Sequence, residues 1–178
     1  MLDEVRYPIG RFEGSPYLTI QERQEYIRMI PELVGALRSV LNHLDSTRLS
    51  SPYRPEGWTP TQIVHHLADN DMNAYLRFKR ALTEHNPSAS SYREDLWGAL
   101  HDYQTLPIEH SLVLLEALHY RFHVLLTGMM PEEFTRTLVT EALGQVTLDM
   151  ALQRFVWHHR HHRAHIHSII GERSSDPL

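Results

Sequence analysis

Residues 148–170 read LDMALQRFVWHHRHHRAHIHSII and follow a helical pattern. When residues are counted at about 100° each, one stripe collects the apolar positions Leu148, Leu152, Phe155, Ile166 and Ile169. Thr147 precedes the stretch as an N-cap, and Gly171 follows it as a stop signal. The stretch therefore predicts a long final helix, Leu148 to Ile170, with its apolar stripe packed into a core.

This helix is also rich in histidine, which occupies six of the ten positions from 158 to 167. Histidines three or four residues apart share a helix face and can converge on one metal ion, and such pairs occur at 158/162, 161/165 and 159/162. Relative to the apolar stripe, His162 faces inward, while His158 and His159 compete for the second place. His161 and His167 are predicted to face solvent, so the 161/165 pair is the weaker candidate.

A metal site of this kind needs a further ligand from elsewhere, and residues 59–84 offer the best donor. Thr59, Pro60 and Gln62 supply an N-cap, a proline at the first helical position and a capping glutamine. In the helix that follows, His65 points away from the apolar stripe and His66 borders it. A polar ribbon suited to the mouth of a cavity begins there: His66, Asn70, Asn73 and Arg77.

Two further apolar repeats predict the remaining long helices. One covers residues 19–44, with a break at Pro31, and the other covers Ile108 to Met129, before Pro131. Residues 1–18 contain prolines and glycines and predict an irregular N-terminal arm, residues 94–101 have room for a short helix, and residues 134–147 predict a loop or small hairpin. We expect an all-α four-helix bundle with long connections, in a single domain spanning residues 1–178.

Composition narrows the classes of function. The chain has 178 residues, no cysteine and a formal charge of −5, so a metal must be held by nitrogen and oxygen rather than by thiolates. The acidic balance argues against nucleic acid, although the His/Arg run would become cationic below a pH of about 6.5. No segment approaches the roughly 18 apolar residues of a membrane span. We expect a cytoplasmic protein.

Short motifs along nearly the whole chain resemble those of the DinB/YfiT-like superfamily of four-helix metalloproteins, and most closely its YfiT branch of metal-dependent hydrolases, which is related to the bacillithiol S-transferases. Each motif is weak alone, but their order is specific. They are Tyr7-Pro8-Ile9-Gly10, Pro52-Tyr53-Arg54, Gly57-Trp58-Thr59, His65-His66-Leu67-Ala68-Asp69, Met72-Asn73, Arg77-Phe78-Lys79, Val156-Trp157-His158, and His162 with Ala164-His165.

The resemblance implies one divalent ion, zinc or nickel, in each subunit of a homodimer. Carried over position by position, it implies the ligands His66, His158 and His162, and so chooses His158 over His159. The sequence departs from the pattern at Asp71, where a close relative carries histidine. Because Asp71 is not one of the three ligands, the ion should survive this change.

Three imidazole ligands leave coordination positions open, as in catalytic rather than structural sites. Three hypotheses follow: a hydrolase that activates water on a small-molecule substrate, a transferase that activates a low-molecular-weight thiol of the bacillithiol type, and a non-catalytic metal- or nucleic-acid-binding protein with residues 158–167 as a surface patch. A His-Glu-x-x-His motif is absent, which disfavours a peptidase. We assign no catalytic role to Asp69 or Asp71, since each can equally well be a solvated polar group on the surface. Trp58 and Trp157 are candidate pocket walls.

Overall fold

Four helical segments form a bundle in residues 2–89, 91–141 and 143–170, the parts of the chain that the computed structural model describes. Gly171, the predicted stop signal, lies outside them. In chain order the helices are α1 (Leu2–Arg6), α2 (Ile20–Met29), a 3-10 turn (Ile30–Glu32), α3 (Leu33–Leu41), α4 (Ser46–Leu49), α5 (Pro60–Thr83), α6 (Glu94–Trp97), α7 (His101–Thr105), α8 (Ile108–Thr127), a 3-10 turn (Pro131–Thr135) and α9 (Leu148–Ile170). The predicted all-α four-helix bundle is confirmed.

The first bundle helix breaks at the predicted proline. α2 ends at Met29, the 3-10 turn carries Pro31, and α3 continues the helix from Leu33. Proline has no N–H to donate to the preceding turn, so the α-helical ladder cannot run through this position unchanged. The carbonyl that this N–H would have used, that of Ile27, accepts a hydrogen bond from His123 Nδ1 of α8 at 3.2 Å. The Ile30 carbonyl, at the break itself, accepts one from His119 Nδ1 at 3.0 Å.

Between α8 and α9 the chain forms a small hairpin, one of the two alternatives predicted for residues 134–147. Strand β1 (Thr137–Thr140) pairs antiparallel with β2 (Gly144–Thr147). Leu138 and Val146 lie opposite each other and are buried, so the hairpin covers one end of the bundle core. β2 leads directly into α9, and the hairpin therefore sets where the histidine-rich helix begins.

Three short helices were not predicted in these positions. Residues 2–6 form α1 within the arm that was expected to be irregular. A helix can form there because the first proline and glycine of the arm come later, at Pro8 and Gly10, and because the positive charge of Arg6 stabilises the last turn of a helix. α4 is capped by the side chain of Asp45, which accepts from the Arg48 N–H. The single helix expected over residues 94–101 is α6, followed by a separate α7.

Two apolar clusters fill the bundle, one at the hairpin end and one at the far end. The hairpin-end cluster includes Ile27, Ile30, Phe78, Phe122, Leu138, Val146 and Phe155. The far-end cluster includes Val34, Leu37, Ile63, Leu67, Leu115 and Ile166. Between the two clusters, α5 carries the buried polar residue Asp71, α8 carries His119, and α9 carries four buried histidines, of which His159 contacts Asp71. A polar layer therefore crosses an otherwise apolar core.

A buried ion pair ties the N-terminal arm and α2 to α9. Arg23 donates through Nε to Asp149 Oδ1 at 2.7 Å and through Nη2 to Oδ2 at 2.8 Å, and the Leu18 N–H donates to Oδ2 at 3.0 Å. The Arg23 and Asp149 side chains are only 9% and 1% exposed. Removal of either partner would leave a buried charge without compensation.

We predict that Asp149→Ala lowers the free energy of unfolding by about 3–5 kcal/mol, because it leaves the Arg23 guanidinium buried without its carboxylate. Urea denaturation followed by circular dichroism measures this change. Glu84→Ala is the matched control, since it removes the carboxylate of the exposed Arg80–Glu84 pair and should change stability little. Equal losses in the two variants would contradict the prediction.

Candidate metal centre

Three histidine side chains from two helices converge in the bundle. His66 comes from α5, and His158 and His162 come from successive turns of α9. The Nε2 atom of His158 lies 3.3 Å from His66 Nε2 and 3.1 Å from His162 Nε2. One ligand atom of each residue lies within 4.8 Å of the others. The structure thus brings together the three residues that the family resemblance implied.

The separations fit a shared ion. Nitrogen ligands about 2.0–2.1 Å from a tetrahedral ion lie about 3.3 Å from one another, close to the two Nε2 separations in this cluster. Nδ1 of His162 is buried and has no hydrogen-bond partner among the described residues. Its ring packs against Trp58 and the imidazole of His161, and its Nε2 faces the convergence point.

The electrostatics of the cluster favour uncharged imidazoles. Burial lowers the pKa of His66 to about 4, and it also holds the pKa values of His158 and His162 well below their ordinary range. Repulsion between neighbouring imidazolium groups acts in the same direction for His158 and His162. Neutral imidazole is the form that binds a metal ion, so these rings need lose no proton at neutral pH to act as ligands.

Two polar side chains contact the outer nitrogens of two of these imidazoles. Tyr92 Oη lies 3.5 Å from His66 Nδ1, and Asn70 Nδ2 lies 3.2 Å from His158 Nδ1. The same Asn70 Nδ2 also donates to Asp71 Oδ1 at 3.2 Å, and this second bond fixes the orientation of the carboxamide. Contacts of this kind orient metal-binding histidines and tune their basicity.

A second cluster, Asp71, His119 and His159, also groups three potential ligands, but its geometry differs. Asp71 Oδ2 lies 2.6 Å from Nε2 of both His119 and His159. Two ligands so close would subtend only about 80° at an ion 2.0–2.1 Å away, whereas 2.6 Å is ordinary for a charge-assisted hydrogen bond. The cluster is therefore a hydrogen-bonded core layer in which both imidazoles donate to one carboxylate oxygen.

The position of Asp71 corrects the prediction of a solvated surface group, because its side chain is fully buried. Burial acts to raise the pKa of Asp71, but the imidazoles of His159 and His119 outweigh it and hold the pKa well below its ordinary value. Asp69 is half-buried and accepts a hydrogen bond from Tyr103 Oη at 2.6 Å. Helical spacing in the sequence could have indicated this burial. Asp71 follows Leu67 by four residues and His119 follows Leu115 by four, so each lies on the same helix face as a buried leucine.

Other histidines also differ from expectation. His161 was predicted to face solvent, but it is only 8% exposed. It stacks on Trp157 at 4.6 Å and lies 5.9 Å from the Tyr7 ring, so the N-terminal arm covers it. His167 is half-buried rather than solvated. His65, predicted to point away from the core, is buried beneath the segment before α8, where its Nε2 donates to the Leu106 carbonyl at 3.2 Å.

A cavity of about 330 Å³ opens onto the three converging imidazoles. Trp58 forms part of its wall, and its ring centroid lies 4.5 Å from that of His66 and 6.1 Å from that of His162. Trp157 also lines the cavity, so both tryptophans lie where the sequence analysis placed them as candidate walls. Arg6 and Tyr7 of the arm border the same space. The arm is thus part of the site as well as of the fold.

A four-helix bundle with ligand-type side chains projecting inward from facing helices defines a class of helical metalloproteins. Residues 32–166 match the family model of the DinB superfamily. The chain belongs to this superfamily. Within the described part of the chain, no helix is long and apolar enough to cross a membrane.

Comparison with individual proteins gives the same family. Proteins from Bacillus cereus and Bacillus anthracis, each named "Putative metal-dependent hydrolase", are 40% identical to this chain over 168 residues, which is 94% of this chain and 96% of theirs. Among solved structures, YfiT from Bacillus subtilis superimposes with a TM-score of 0.90 at 36% identity, covering 93% of this chain and 95% of YfiT. YfiT is described as "a probable metal-dependent hydrolase with an unusual four-helix bundle topology".

We predict that acid destabilises the metal-free protein in a window set partly by His165. Burial lowers the pKa of His165 from its ordinary 6.5 to about 4, so the folded form stays neutral where the unfolded chain takes up a proton. Stability is therefore lost as the pH falls from 6.5 towards 4, by on the order of 2 kcal/mol from this group by pH 5.

Urea denaturation at pH 7.5 and pH 5 measures this loss. His165→Gln should flatten the pH dependence, whereas replacement of the exposed His110 by Gln should leave it as in the wild type. An unchanged slope in His165→Gln would contradict the assignment.

Proposed function

We propose that His66, His158 and His162 hold one divalent transition metal ion, zinc or nickel, and that the protein is a metal-dependent hydrolase acting on a small molecule. The observation that carries the proposal is the convergence of three Nε2 atoms at 3.1 and 3.3 Å on rings kept neutral by burial. Three nitrogen donors without a thiolate suit either metal. When bound, such an ion supplies a Lewis acid that activates a water or a thiol as the nucleophile.

The protein side chains supply orientation and exclusion of water. The Asn70 and Tyr92 contacts orient the rings of His158 and His66 through their outer nitrogens, and the Trp58 ring packs against His66. Imidazoles are neutral ligands, so they leave the charge of an ion uncompensated and preserve its ability to polarise a substrate. The burial of four of the six histidines in the 158–167 run, His159, His161, His162 and His165, also argues against the alternative of a basic surface patch for nucleic acid.

A thiol transferase remains the second candidate, and one observation favours it. Among the described residues, no carboxylate is hydrogen-bonded to the three ligand rings, and the carboxylates that line the cavity, Glu56 and Glu94, are on exposed residues. Hydrolysis profits from a general base within hydrogen-bond reach of the attacking water. A low-molecular-weight thiol loses its proton more easily than water and depends less on such a base.

We also propose that the protein is a homodimer. Apolar side chains on the outer face of the bundle support this: Leu76 on α5 and Val113, Leu114, Tyr120 and Val124 on α8 are between 41% and 70% exposed. Val113, Tyr120 and Val124 are spaced by seven and four residues and share one side of α8. A contiguous exposed apolar face often marks a protein interface. A solution mass of 20.8 kDa, that of one chain, would contradict the proposal.

The metal assignment predicts one equivalent of zinc or nickel per chain in untagged protein purified without chelators, and its loss in His66→Ala. His43→Ala is the control, because it removes an exposed histidine from the end of the α3 region. Elemental analysis gives the stoichiometry. Less than about a tenth of an equivalent in the wild type, together with failure to take up added metal, would exclude a catalytic ion; two equivalents would mean that the Asp71 cluster also binds one.

The choice between water and thiol is predicted to appear in turnover. We expect the zinc-loaded protein to hydrolyse 4-nitrophenyl acetate without any thiol, with the His66→Ala variant at background rate. The competing transferase reaction is measured with 1-chloro-2,4-dinitrobenzene, with and without 2-mercaptoethanol. Turnover that requires the thiol in every case would overturn the hydrolase in favour of the transferase.

A further inference from the structure

A second cavity, of about 290 Å³, meets the proposed metal site at His158. It lies beside α5, α9 and the hairpin, and three residues, His158, Glu94 and Arg154, line both this cavity and the one beside Trp58. Its walls include the apolar side chains Phe78, Leu138, Val146 and Met150. Cavities of this size and character bind small molecules. A molecule in this space would have one end next to His158.

Two arginines from different helices line the same cavity. Arg77 follows the ligand His66 by eleven residues on α5, and Arg154 precedes the ligand His158 by one turn on α9. Both side chains are half-buried, and burial lowers the pKa of each from its ordinary value, although guanidinium keeps its proton at any physiological pH. The cavity therefore contains two positive charges that are partly removed from water.

The position of Arg154 is restrained by its surroundings. Its guanidinium carbon lies 5.5 Å from the ring centroid of Phe12 and 5.7 Å from that of Trp157, distances at which a cation is attracted to an aromatic face. The carboxylates that line the cavity, Glu94 and Glu141, are on exposed residues. Water screens the charge of Glu141, whereas Glu94 is close enough to attract Arg154, and burial raises the pKa of the Glu94 carboxyl group. An anion in the cavity would therefore compete with Glu94 for Arg154 and would add a partner for Arg77.

We propose that this cavity binds a small amphipathic oxyanion, with its carboxylate or phosphate group on Arg77 and Arg154 and its apolar part on Leu138, Val146 and Met150. The guanidinium fork matches the paired oxygens of such groups, and the apolar wall favours a hydrocarbon portion. This cavity would be the substrate pocket of the His66, His158 and His162 site, and that part of the proposal rests on the proposed function. The reactive bond of the substrate would then lie at the His158 end.

Isothermal titration with octanoate, octyl phosphate and octan-1-ol tests the proposal, first on chelator-treated protein and then on zinc-loaded protein. In the metal-free protein, at least one of the two anions should bind tenfold or more tightly than the alcohol. Arg77→Gln and Arg154→Gln should each weaken binding of that anion on the order of tenfold, as expected for a lost charged hydrogen bond. Binding of octan-1-ol should stay unchanged in both variants, which also shows that the cavity is intact.

Arg48→Gln is the matched control, since Arg48 is exposed on α4 and lies outside the cavity. If Arg77→Gln lowers the melting temperature, Arg77→Lys takes its place as the test variant, because it keeps the charge but loses the guanidinium fork. Which anion binds better tells a carboxylate substrate from a phosphate substrate. Equal affinity for alcohol and anions would overturn the proposal. So would anion binding that appears only with zinc and is insensitive to the arginine variants, because the anion would then be a ligand of the ion. Failure of the metal assignment would leave the metal-free result standing.

Discussion

A single buried carboxylate oxygen joins three of the four bundle helices. Asp71 Oδ2 on α5 accepts from Nε2 of His119 on α8 and from Nε2 of His159 on α9, both at 2.6 Å. His119 Nδ1 in turn donates to the Ile30 carbonyl, at the break in the first helix. Apolar contacts tolerate small rotations, but these hydrogen bonds are directional and a buried charge cannot be left without partners. The layer therefore fixes the rotation of each helix about its axis.

The proposed metal ligands depend on that rotation. With His159 held against Asp71, His158 and His162 both lie to the same side of it on α9, by about 100° and 60°. That side faces His66 on α5, five residues before Asp71. The same two helices carry Arg154 and Arg77 towards the neighbouring cavity. Ligand geometry and the character of the pocket thus follow from one set of core contacts.

Much of the fold was predictable because its signals are local. The capping residues Thr19 and Thr59, the break at Pro31 and the apolar repeats place the long helices correctly. Helical counting alone left His158 and His159 as equal candidates, since it does not show which buried position meets a carboxylate from another helix. The burial of His161 was also out of reach, because the N-terminal arm that covers it lies about 150 residues away in the sequence.

The hydrogen-bonded layer of Asp71, His119 and His159 bears on the order of folding and metal binding. The core is closed by contacts that need no ion, and the three converging imidazoles are neutral when the site holds none. Folding and metal acquisition are then separable events, unlike in small zinc domains that fold only around their ion. If His66, His158 and His162 bind the ion proposed for them, a chain made without it would already be folded and could take up the ion without refolding.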